Sequence, residues 1–260
     1  MIGARAWRAA RSVALAIGAA LACGPSAGEE PSPVDFVRAD PYPRLVIEVD
    51  AVEGLSLASD VQAALVDVVE GLVDKPGGVV VIVDDTLPRA HDGAAWSFAE
   101  LVDLGDERRD LEVDGDAIKV HVLLLDGAYY GEDGGAHLGL AWDGGHVALF
   151  QEGLMDACAS GKGGRGLSSQ ACRSAELGVL AHEFGHVFGL VNNGAPMVEP
   201  HEDPAHPGHT DDPSCLMYWA YERGEVIHRI ADAVDAGTPA EEALGFCGPS
   251  LADLAALREG

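Results

Sequence analysis

Positive charge is scarce in this chain. Its 260 residues carry 16 Lys and Arg against 43 Asp and Glu, a formal net charge of -27. Such a field repels phosphate backbones and anionic lipid headgroups, which excludes nucleic acid and any electrostatic hold on a membrane. It suits a soluble surface in salty surroundings; a cationic substrate is the lesser alternative. Long apolar runs are also missing. Beyond the N-terminus no segment is long and apolar enough for a transmembrane helix. Internal repeats are absent, and so is any clear propeptide or cysteine switch. Cysteines number five.

What remains is globular in composition: 48% hydrophobic, with 33 Gly and 14 Pro. The length suits one domain in two lobes. Arg5, Arg8 and Arg11 precede an apolar run over 13–22, the layout of a signal peptide over 1–22. The run ends in Ala20-Leu21-Ala22-Cys23. This resembles a bacterial lipobox, with Ala20 where Leu is usual, and implies lipidation of Cys23. An ordinary signal peptide cut near Ala22 is the alternative. Either implies export. Residues 23–41 then read as a lipidated cysteine and a Pro-rich flexible tether, and 42–260 as the domain, with an upper lobe over 42–190 and a lower lobe over 191–260.

With Cys23 lipidated, Cys158, Cys172, Cys215 and Cys247 remain, an even number in an oxidising compartment. Four cysteines allow three pairings. The expected one joins Cys158 to Cys172, closing a Gly/Ser-rich loop, and Cys215 to Cys247; free buried thiols are the alternative.

Period-two and β-branched runs predict strands at 44–50, 78–85, 117–127, 137–143 and 146–151, the last two joined at Gly144-Gly145. A helix is predicted over 59–73, with Val61, Leu65, Val68, Val69 and Leu72 as its stripe, and a second over 173–188. Residues 191–214 read as loop, followed by helices near 223–235 and 250–258.

The second long helix carries His182, Glu183 and His186. Residues four apart on a helix point the same way, so both imidazoles can meet one metal. Zn2+ takes three protein ligands at catalytic sites and keeps one position for water. Glu183 is placed to act on that water as general base. Gly189, three residues on, allows a sharp turn out of the helix.

His182 to Gly189 match HExxHxxG, and the chain resembles the metzincin clan of zinc peptidases. Within the clan it is most similar to the archaemetzincins, which read HExxHxxGxxHCx4CxM with a later FCxxC. His209-Thr210, then Cys215-Leu216-Met217, match HCx4CxM with Thr for the first Cys. Phe246-Cys247-Gly248-Pro249-Ser250 matches FCxxC with Ser for the last. The resemblance covers roughly residues 174–250.

It implies an α+β, metzincin-like fold: a mixed twisted sheet with two long helices above, and an irregular, mainly helical lobe below. It implies a zinc endopeptidase acting on a protein or peptide substrate, which pairs with the edge strand 137–143. The third histidine of the motif falls at Asn192, a poor zinc ligand. Nineteen residues separate Gly189 from His209, so VNNGAPMVEPHEDPAHPG reads as an insertion. His209 is then the expected third ligand, with His201 and His206 as fallbacks. Met217 is the expected methionine turn. The family's four structural-zinc cysteines are reduced here to Cys215 and Cys247, which implies a disulfide in place of that metal.

Glu199, Glu202, Asp203, Asp211 and Asp212 could hold Ca2+, although a solvated acidic loop is the plainer reading. A glutamate ligand, Glu222 or Glu225, is a further arrangement that Gly189 and Met217 disfavour. An inactive metzincin-like binding lipoprotein is the alternative to an enzyme. Oligomeric state is not legible.

Overall fold

The computed structural model describes residues 30–89, 94–131, 134–161, 166–238 and 245–260. The expected signal peptide over 1–22, Cys23 and residues 24–29 of the expected tether lie outside these residues.

A five-stranded mixed sheet forms the upper lobe. Its strands are β1 (Arg44–Val52), β2 (Val79–Leu87), β4 (Ala117–Leu124), β7 (Gly139–Trp142) and β8 (His146–Leu149), in the order β2-β1-β4-β8-β7. The first four positions are parallel, and β7 runs antiparallel along the edge. A short second sheet holds β3 (Ala95–Trp96), β5 (Ala128–Tyr130) and β6 (Ala136–His137).

The predicted pattern explains one face of the main sheet. Leu45, Ile47 and Val49 of β1 and Val120, Val122 and Leu124 of β4 alternate onto a core shared with two helices. These are α2 (Ser59–Leu72), which buries Val61, Leu65, Val69 and Leu72, and α5 (Ser169–Val187). The two helices pack against each other, and α5 also reaches β7 and β8.

The opposite face was not anticipated. It is covered by α3 (Phe98–Arg108), whose Leu101 joins Val52, Leu123, Ala148 and Phe150 in a second core. Ser97 and Glu100 cap α3 reciprocally, Glu100 accepting from the Ser97 backbone at 2.8 Å. The same face buries Glu48, Asp50, Lys119, His121 and His146. A helix α4 (Gln151–Ser160) lies between β8 and α5.

Part of the expected tether over 23–41 is folded into the domain. Pro33–Val37 form α1, with Phe36 and Val37 buried in the main core. Lys75 fastens this segment by donating to the carbonyls of Asp35 at 2.7 Å, Tyr42 at 2.6 Å and Arg38. Two apolar side chains one after the other are enough to hold five residues that composition alone marked as linker.

The lower lobe is irregular from Leu190 to Tyr218, followed by a 3-10 turn (Trp219–Glu222), α6 (Glu225–Asp235) and α7 (Gly248–Glu259). α6 packs on α5, and α7 on α1. Disulfides join Cys158 to Cys172, linking α4 to α5, and Cys215 to Cys247, linking the loop to the start of α7. No helix among the described residues is long and apolar enough to cross a membrane.

Candidate metal centre

α5 is buried on nearly every side, as expected of a helix running through the middle of a domain. Ser168 caps it, accepting from Ala171 N at 3.1 Å. Its last turn presents His182 and Glu183, both essentially inaccessible, and the partly buried His186.

The helix stops at Gly189, with φ +76°. A Cβ there would lie 2.7 Å from Ala195 N and 2.8 Å from Pro33, so both the conformation and the space require glycine. Val191 and Asn192 continue the reversal at φ 55° and 62°. Asn192 turns away from the helix and donates to Glu202 at 3.0 Å.

The long loop separates the three histidines. His201 contacts Glu199 O at 2.8 Å and lies 3.5 Å from Asp253. His206 sits 2.7 Å from Asp203 and stacks on Trp219. Only His209 comes back to α5: its Nε2 is 3.2 Å from His186 Nε2, which is 3.1 Å from His182 Nε2. His209 is held by backbone bonds on both sides, Asp203 N to His209 O and Thr210 N to Met217 O.

A fourth group joins them. Glu222, from the 3-10 turn, brings Oε1 within 3.4 Å of His182 Nε2, 3.6 Å of His186 Nε2 and into contact with His209 Nε2. Its Oε2 is 2.8 Å from His137 Nδ1. Sequence reasoning set Glu222 aside because it was weighed as a substitute for a histidine; the structure supplies both. Glu225 is exposed. No local signal marks His137, which reaches the site only through sheet pairing beside β7.

These residues fit a metal. His182 Nδ1 faces Leu216 O at 2.6 Å. Donation to that carbonyl leaves the Nε2 lone pair directed at the centre of the group. Burial, reinforced by His182 and His209, pulls His186 down to about 4, so it is neutral at pH 7, as ligation requires. Burial and the nearby Glu222 charge push Glu183 well above the usual carboxylate range, against a backbone bond from Ala141. Burial acts on Glu222 in the same direction, but the imidazoles of His137, His182, His186 and His209 around it outweigh burial and hold Glu222 low. Glu183 Oε1 is buried without a hydrogen-bond partner, an arrangement that a bound water or substrate group would relieve.

Met217 is fully buried below the helix. A Cβ on Gly185 would lie 2.3 Å from its sulfur, so the glycine admits the methionine directly beneath the turn carrying the histidines. Cys215, two residues before, is bonded to Cys247; Ser250 Oγ lies 3.3 Å from Cys247 Sγ. The loop acids do not converge. Among the described residues, the groups of three or more that could hold an ion are the histidine–Glu222 group and Glu48, Asp84 and Asp110. Glu202, Asp203 and Asp212 instead accept from Gly208, Ala205 and Ser214 backbone nitrogens.

β7 forms the wall above the site. Gly139 faces Glu183 closely: a Cβ would lie 2.3 Å from its Oε1. On the His186 side a cavity of about 270 Å³ opens between Trp142, Gly144, Asn193 and Pro33.

The fold was compared with solved structures. A zinc-dependent peptidase from Methanocorpusculum labreanum superposes with a TM-score of 0.52 at 19% identity, over 80% of this chain and 99% of that one. The chain is folded like a zinc-dependent peptidase. An archaemetzincin from Methanopyrus kandleri gives 0.47 at 16% identity, over 83% of this chain and 96% of that one. Metalloproteinase-II from Bacteroides fragilis gives 0.42 at 16%, over 86% and 56%. No protein-family model matches the sequence, and no curated protein matches it. The shared fold is α+β, with its mixed sheet above and its irregular lobe below.

Proposed function

We propose that this chain is an exported zinc-dependent endopeptidase, held to a bacterial membrane by lipid on Cys23. The observation that carries the catalytic part is the convergence of His182, His186 and His209 beside a buried, unpartnered Glu183 carboxylate oxygen, under an edge strand. The fold shared with a zinc-dependent peptidase supports it.

The three imidazoles would hold the ion, which when bound polarises a carbonyl and makes water more acidic. Glu183 accepts the proton of the attacking water and delivers it to the leaving amine. β7 has one unpaired edge, against which an extended peptide adds as a further strand. Met217 and the Cys215–Cys247 link fix the floor below. Export rests on the charged and apolar pattern of residues 1–23, and the two disulfides agree with an oxidising compartment.

The second reading is a metal-binding lipoprotein without peptidase activity. Glu222, lodged among the donor atoms, favours it. Zinc content and peptide cleavage separate the two for wild type, Glu183→Ala and His209→Ala. The expected result is zinc retained but cleavage down about 10²- to 10⁴-fold in Glu183→Ala, and zinc lost in His209→Ala. Equal cleavage by wild type and Glu183→Ala would end the peptidase reading.

A further inference from the structure

Glu222 does more than border the metal site. Four ligands about 2.0 to 2.1 Å from a zinc ion at tetrahedral angles stand about 3.3 Å apart. The histidine nitrogens here are 3.1 and 3.2 Å apart. Glu222 Oε1 lies 3.4 and 3.6 Å from two of them and touches the third. The four donor atoms therefore cluster about one point, all within 4.8 Å of one another, and Glu222 is in reach of an ion held by the three imidazoles.

The backbone holds Glu222 there. Leu138, between β6 and β7, donates its N–H to Glu222 O at 2.6 Å. This bond joins the segment before β7 to the 3-10 turn of the lower lobe. His137, the neighbouring residue, holds the other carboxylate oxygen. One side-chain contact and one main-chain bond thus fasten the same residue to the segment that leads into β7.

We propose that Glu222 is a fourth protein ligand that closes the metal site at rest, so the enzyme is latent until the carboxylate is displaced. His137 stands where it can keep Glu222 Oε2 as Oε1 swings away. This rests on the zinc-site reading above. It places latency inside the folded domain.

The test uses the full exported domain with Co2+ in place of zinc, for wild type, Glu222→Ala and the near-isosteric Glu222→Gln. Circular dichroism establishes that each variant is folded. Visible spectra, chelator competition and titration with acetohydroxamic acid are recorded. Wild type is expected to show a four-coordinate cobalt spectrum that hydroxamate perturbs weakly. Both variants should show an altered spectrum, metal affinity lower by about 10-fold or more and hydroxamate affinity higher by a similar factor. Identical spectra, metal affinity and hydroxamate affinity in all three proteins would overturn the proposal, as would wild type that binds no cobalt. If Glu222 proves a ligand and neither wild type nor Glu222→Ala cleaves peptides, the ligand assignment stands and the peptidase reading falls.

Discussion

Two glycines and a methionine set tolerances around the site. Gly139 leaves room for the Glu183 carboxyl and for Val179, whose Cγ1 would meet an added Cβ at 2.7 Å. Gly139→Ala is expected to shift Glu183 by a fraction of an ångström to an ångström. Cleavage should fall by about 10²-fold, because small misplacements of a reacting group are that costly, while zinc content stays at the wild-type level. Zinc analysis alongside turnover checks this; a variant that loses its zinc would place Gly139 in folding rather than positioning. Met217→Ala leaves a void under Gly185 and should cost about 2 to 5 kcal/mol of stability in chemical denaturation. At this scale the sequence is only partly readable. His182 and His186 declare themselves because four residues make one helical turn. His209 has no local signature, and its place depended on the register of Cys215 and Met217 in a resembling family. Glu222 was weighed only as a substitute for the third histidine, and His137 was out of reach, since it arrives by a strand pairing that links distant segments.

Among elements, the least expected is the polar interior between the sheet and α3. Asp50 Oδ2 lies 3.0 Å from His121 Nε2, and His121 Nδ1 lies 3.3 Å from His146 Nδ1. His146 in turn stacks on Trp142 of β7. Arg109 secures the adjoining hairpin by donating to Gly144 O and Lys119 O. Burial, with Arg109, His121 and Lys119 nearby, lowers His146 from 6.5 to about 3. Because the unfolded chain then binds the extra proton first, this residue's contribution to stability is full above pH 6.5 and declines as pH falls towards 3. The decline is at most about 1.4 kcal/mol per pH unit. Urea titrations across that range should show a shallower acid limb for His146→Phe than for wild type. An equal slope would mean that His146 is protonated in the fold. The strands carrying these groups were legible as strands, but their charged residues were read only as pattern, because a polar residue on a strand ordinarily marks a solvated face. α3 had a legible signal in Ser97 and Glu100, and only its weakly apolar body hid it. The two disulfides join elements rather than neighbours. Opening Cys215–Cys247 by a double serine substitution should cost about 3 kcal/mol and loosen the Met217 floor. Thiol titration of the denatured, unreduced protein should find these four cysteines unreactive.

For the molecule as a whole, charge is the dominant global property. At -27, the chain repels itself. Added salt screens that repulsion over about 10 Å at 0.1 M, so the melting temperature should climb between low and moderate sodium chloride. Scanning calorimetry over that range would show a flat response if the acidic groups were already neutralised by bound cations. The overall architecture was the most legible level of all: a sheet lobe, a traversing helix and an irregular lobe follow from the order of apolar periods along the chain. The loop from Leu190 to Tyr218 was legible only as length, because its path is fixed by hydrogen bonds such as Asp203 N to His209 O, which carry no apolar period.

The short helix α1 sets a working radius. Pro33 packs against Gly189 and Gly194, and with Phe36 it borders the cavity beside His186. In the proposed lipoprotein, nine residues lie between Cys23 and Pro33, a reach of at most about 35 Å even when fully drawn out. The mouth of the site would then patrol a thin layer above the bilayer, and a bulky globular protein would meet it only by an extended segment lying close to the membrane. Lengthening the linker ahead of Pro33 would widen that layer without touching a single residue of the site.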